Sequence, residues 1–89
     1  MSLKTANDNI FDLNTEGVDF FLYKHELNIR NKSKQCGTIV VYNMFGNECL
    51  RIPMDKESES VTYLDLKSGA YIAKLIVGDR NYSKNLILE

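Results

Sequence analysis

The sequence predicts an all-β domain, an antiparallel sandwich, and three observations carry that prediction. Nine Asn, five Gly and a single Pro stand between short apolar stretches, and breaks spaced roughly every eight to twelve residues mark a sandwich or barrel. No stretch holds the apolar period of an amphipathic helix. The chain has 89 residues, enough for one small domain that buries roughly 60 to 65% of its unfolded surface and too few for a jelly roll. Apolar residues make up 44% and charged residues 26%, so the chain is neither a disordered polyampholyte nor a fibrous repeat.

Residues 1–17 are polar, with Asn7, Asp8, Asn9, Asp12, Asn14 and Glu16, and read as an arm or leader strand ahead of a single sandwich domain over 18–89. No secretory signal peptide is present at the start, and Met1-Ser2-Leu3 and Glu89 carry no weight in the reading. From Val18 the pattern turns strand-like. Phe20 to Tyr23 is rich in aromatic residues, Leu27 and Ile29 alternate with Asn28 and Arg30, and a turn near Lys24-His25 divides the two runs. A polar loop follows over 31–35. Thr38 to Asn43 is the clearest strand, and Gly46-Asn47 supplies the positive-φ positions of a hairpin. The next strand, Glu48 to Ile52, stops at Pro53, which has no N–H to donate.

Asp55 to Ser60 is a charged loop, Val61 to Leu66 a strand, and Lys67-Ser68-Gly69 a turn. In the last third Tyr71, Ala73, Leu75 and Val77 share one face, and a Gly78-Asp79-Arg80-Asn81 loop returns the chain. That loop sets Val77 opposite Tyr82, Ala73 opposite Leu86 and Tyr71 opposite Leu88, so apolar residues meet across the pair. These segments give about seven strands, and an immunoglobulin-like sandwich is the nearest standard architecture.

Several classes of function lose support at this level. Eleven Lys and Arg against twelve Asp and Glu give a net charge of -1, so the electrostatic drive for nucleic-acid binding is missing. Apolar runs as long as any in the chain, such as Ile39-Val40-Val41-Tyr42, are far short of the roughly 20 residues of a membrane-spanning helix. The phosphate-cradle and nucleophile-elbow glycine motifs do not occur, and no cofactor is implied. His25 and the two cysteines lack the close pairs that preorganise a zinc site, and His25 reads as a solvated turn residue. With Val41 facing Leu50 and Ile39 facing Ile52, Cys36 and Cys49 fall about six residues out of register. At about 3.3 Å per residue that is about 20 Å, and the two read as independent thiols. Glu57 and Glu59 belong to a solvated loop, without the fixed separation of catalytic carboxylates. Arg30, Lys32 and Lys34, the only basic cluster, read as a loop edge.

Two motifs rise above this background. The first is Ile39-Val40-Val41-Tyr42-Asn43-Met44-Phe45-Gly46-Asn47-Glu48. The second is Leu66-Lys67-Ser68-Gly69-Ala70-Tyr71-Ile72-Ala73-Lys74-Leu75, followed by Tyr82-Ser83-Lys84-Asn85-Leu86-Ile87-Leu88. Together they make Thr38 to Glu89 resemble the C-terminal sorting domain of cargo exported by the bacterial type IX secretion system. The first looks like the family's strand-turn element, the second like its Leu-x-x-Gly-x-Tyr strand and Lys-rich closing strand. The family commonly opens with Pro-Asn-Pro, where this chain has Tyr23 to Ile29 without proline, and Asn85 stands in place of a second lysine.

The resemblance implies a non-enzymatic sandwich that directs export and surface attachment of a larger cargo, in transit through the periplasm. Its implied partners are the outer-membrane secretion machinery and a sortase-like protease, with anionic lipopolysaccharide as the attachment point. Tyr42, Asn43, Gly46, Gly69 and Tyr71 would give the shape, and Lys84 with Leu86 and Leu88 of the final strand would meet the machinery. Small secreted immunoglobulin-like domains of unknown function resemble the chain through Leu27, Ile29, Gly46, Gly69 and Tyr71. They support the other expectation, a stand-alone adhesion or binding module.

Overall fold

The computed structural model describes residues 11–15 and 17–89; the rest of the predicted N-terminal arm lies outside them. The elements are β1 (Phe11–Thr15), β2 (Val18–Tyr23), β3 (Glu26–Asn31), β4 (Gly37–Asn43), β5 (Glu48–Met54), β6 (Ser58–Tyr63), β7 (Gly69–Val77) and β8 (Arg80–Leu88). Two four-stranded sheets result, ordered β1-β2-β3-β6 and β5-β4-β7-β8, with every pairing antiparallel. This is the immunoglobulin-like arrangement: β2, β3 and β6 stand as A, B and E, and β4, β7 and β8 as C, F and G, with β5 outside β4.

Alternation builds the core. Val18, Phe20 and Leu22 of β2 and Leu27 and Ile29 of β3 face Ile39, Val41, Leu75 and Leu86 of the other sheet, all of them buried. Val40 is also fully buried, yet its parity puts it on the outer face of the second sheet, where its strand neighbours are Arg51 and Lys74. The aliphatic stems of such side chains cover apolar surface while their charges stay in water.

The expected turns and strands hold in part. Lys24-His25 is the two-residue turn between β2 and β3, with Lys24 at φ 58. Ile39 pairs with Ile52 and Val41 with Leu50, as the apolar pattern predicts. Of Gly46 and Asn47, only Gly46 has positive φ. β5 runs on through Pro53 to the buried Met54, because it is an edge strand that needs ladder bonds on one side only. β6 begins three residues earlier than expected and ends at Tyr63, so Glu59 is a strand residue paired with Arg30 and not part of a loop. Leu64 leaves the ladder to fill the core, and its N–H donates to the His25 carbonyl at 2.7 Å.

The largest correction is the last hairpin. The return is the two-residue turn Gly78-Asp79, with Arg80 and Asn81 already in β8. Leu75 therefore lies opposite Tyr82, Tyr71 opposite Leu86 and Gly69 opposite Leu88, a slip of two residues from the expected register. Gly78 has φ 62 and Asp79 does not share a positive φ, the pattern of a II′ turn, whose twist matches that of the strands. A slip of two keeps every side chain on its face, so the buried set is unchanged while each cross-strand partner changes.

Candidate functional site

The residues singled out by the motifs all lie on the second sheet, most of them toward one end. Asn43, Tyr71 and Leu86 form one row across β4, β7 and β8, and Gly69 pairs with Leu88 in the neighbouring row. Between β4 and β5, Asn43 organises the turn by itself. Its side-chain oxygen accepts the N–H groups of Phe45 at 2.9 Å and Asn47 at 3.0 Å, and its backbone bonds Gly46 and Asn47 at 3.0 Å each. Gly46, at φ 87, takes the conformation that a Cβ would penalise. The turn presents Met44 and Phe45 to solvent, Phe45 at 90% exposure. A bulge between Val41 and Tyr42 sets Tyr42 opposite Glu48, so Cys49 has no ladder partner. Tyr42 is half-buried, with the Lys74 ammonium 5.6 Å from its ring centre.

Tyr71 occupies the start of β7 and donates its hydroxyl to the Lys67 carbonyl at 2.7 Å. A tyrosine at the start of strand F bonding back to the chain a few residues upstream is the tyrosine corner of immunoglobulin-like sandwiches. Gly69, at φ 149, opens that strand. Leu86 and Leu88 are fully buried, so what the final strand offers to a partner is its edge, its exposed Ile87 and its polar residues. Lys84 is opposite Ala73 and shares the inward parity of Leu86, yet it is exposed. An inward-facing charge on an edge strand discourages pairing with a further strand.

Other residues emerge only in three dimensions. His25 is half-buried with a main-chain oxygen within hydrogen-bond reach of each ring nitrogen, which corrects its reading as a solvated turn residue. Asn31 is buried: its amide donates to the carbonyls of Gln35 and Asp55 at 2.9 Å, and its oxygen accepts from Ser33. Arg30 pairs with Glu59 at 3.2 Å on the outer face of the first sheet, not at a loop edge. With Asp19, Phe21, Asn28 and Val61 they line a shallow groove of ≈ 610 Å³. Periodicity set Asn28 and Arg30 on the face away from Leu27 and Ile29, but it marked none of these partners, because each depends on which strands become neighbours.

Electrostatics at the site is local. Arg51 donates two hydrogen bonds to Glu48, at 2.7 and 3.0 Å, and these hold the Glu48 carboxyl below its ordinary range and the guanidinium above its own. Among the described residues, Cys36 and Cys49 are free thiols and no three His, Cys, Asp or Glu side chains gather as a metal would require. No helix of the described residues is long and apolar enough to cross a membrane.

The comparisons with known proteins agree with this geometry. A family model described as the secretion system C-terminal sorting domain matches residues 23–89, which adds β3 and the Lys24-His25 turn to the stretch carrying the motifs. No curated protein and no solved structure matches the chain. A sorting-signal family is not a catalytic one. The chain belongs to the family of C-terminal sorting domains of the type IX secretion system.

Proposed function

We propose that the sandwich is the export and surface-attachment signal at the C-terminus of a larger precursor, and that it acts by recognition. An outer-membrane translocon reads the folded domain as the precursor leaves the periplasm, and a sortase-like protease releases it and joins the cargo to anionic lipopolysaccharide. The observation that carries this reading is the family match over residues 23–89. Tyr42, Asn43, Gly46, Gly69 and Tyr71 act by shaping one end of the second sheet. Lys84 on the edge strand β8, with the strand's end at Leu86 to Leu88, makes the contact.

The test fuses the whole chain to the C-terminus of a signal-peptide-bearing reporter in a bacterium with a working type IX system, and assays the cell surface. Ending the chain at Ser83 would remove Leu86 and Leu88 from the core, so the informative variant is Lys84→Glu, at an exposed position. Surface display by the parent and its loss in a folded Lys84→Glu fusion are expected. Display that survives the substitution would remove Lys84 from the contact. A folded parent fusion left in the periplasm would favour the binding-module reading, for which Phe21, Tyr23, Val61 and Tyr63, exposed on the outer face of the first sheet, are the surface to test.

A further inference from the structure

The chain's one histidine joins the rim of the first sheet to the end of β8, which no strand pairing connects. His25 Nδ1 lies 3.0 Å from the main-chain oxygen of Leu64, and Nε2 lies 2.7 Å from that of Glu89. A main-chain oxygen, carbonyl or carboxylate, only accepts, so both ring nitrogens must donate, and the imidazolium alone carries hydrogen on both. The ring is fixed before it meets these partners. Its own carbonyl accepts from Leu64 N–H at 2.7 Å, and its face stacks on Tyr63 with centroids 5.8 Å apart and planes 25° from parallel. An aromatic face beside it favours the cation.

We propose that His25 is a proton-operated clasp: protonated, it ties the end of β8 to the rim of the opposite sheet, and neutral, it releases one of its two main-chain oxygens and loosens that end. Loss of one proton leaves a bare nitrogen lone pair against a main-chain oxygen, which is repulsive. The bond at risk is the exposed one to Glu89, because the Leu64 contact is partly buried and braced by the reciprocal backbone bond.

The charged and titratable groups around the ring come from three places. Lys24 and Glu26 flank it in its own hairpin, Tyr63 and Asp65 face it from the end of β6 and the chain beyond, and Glu89 meets it from the end of β8. The Leu64 bond first, then the Glu89 bond, raise the imidazole above its ordinary 6.5, with Asp65 adding to them and desolvation opposing. A raised value in the folded state means that the clasp contributes fully below about 6.5 and fades as pH rises through the folded value. The clasp is a property of the fold, and its test does not depend on export.

The test follows two NMR signals on the intact chain from pH 5.5 to 8.5: the His25 ring nitrogens, and the hydrogen-exchange protection factors of the Leu88 and Glu89 amides. We expect both nitrogens protonated at pH 5.5, a transition above the ordinary histidine value, and protection that falls about tenfold along that same transition. His25→Phe keeps a ring on Tyr63 and removes both donors, so its protection should be low and independent of pH. Ring titration at or below the ordinary value, or wild-type protection indifferent to pH, would overturn the clasp. If His25→Phe does not fold, the wild-type titration alone decides.

Discussion

The two hairpins of the second sheet, β4–β5 and β7–β8, both carry a pattern that predicts apolar opposite apolar, and the fold keeps that register in the first and shifts it by two in the second. In β4–β5 the loop is long enough for Asn43 to close it with its side chain, and the apolar pairing Ile39 with Ile52 and Val41 with Leu50 survives. In β7–β8 the apolar match favoured a four-residue loop, but a glycine followed by Asp79 closes a two-residue turn and draws the register in by two. Apolar matching fixes which face a residue occupies, because parity decides burial. Turn chemistry fixes which residue it meets.

Three substitutions probe this contrast, the first with the largest effect. Leu86→Ala should cost about 3 kcal/mol in chemical denaturation, since it opens a cavity beneath Tyr71 in a row that the tighter turn created. A cost below about 1 kcal/mol would mean that β8 is held mainly by its backbone ladder. Gly78→Ala should cost about 1.5 kcal/mol, because an L-residue is forced to φ 62. If that variant keeps full stability while its cross-strand contacts by NMR move to Tyr71 opposite Leu88, the glycine is what selects the shorter loop. Asn43→Ala should cost about 1 kcal/mol for the two bonds its side chain accepts, with the Ile39 to Ile52 pairing unchanged, because apolar matching already specifies that register.

How much of the candidate site was legible follows the same division. Asn43, Gly46, Gly69 and Tyr71 were marked by the family resemblance, whose motifs show in a sequence because turn and strand-start residues act within a few positions of themselves; even the Tyr71 hydroxyl reaches only as far as Lys67. Lys84 was legible as a charge on the last strand that shares the parity of Leu86; that it nonetheless reaches solvent shows only in the folded structure. The roles of His25 and Asn31 were not legible, since their partners lie up to 64 and 24 residues away in the chain. The β6 boundaries were displaced because Ser58 to Ser60 have weak strand propensity and become a strand only by pairing with β3.

The sequence by itself determined the all-β class, the inward faces of β3, β4 and β7, the separate thiols and the motifs that mark a sorting domain. Each of these rests on a period of two or on short-range turn chemistry, which a chain carries in its local order. Only the tertiary structure decided the register of the last hairpin, the passage of β5 through Pro53, the buried amide of Asn31 and the grip of His25 on two main-chain oxygens. Those depend on which strands lie at an edge and which loops meet at one end of the sandwich, and that is settled by packing two sheets together, not by any segment alone.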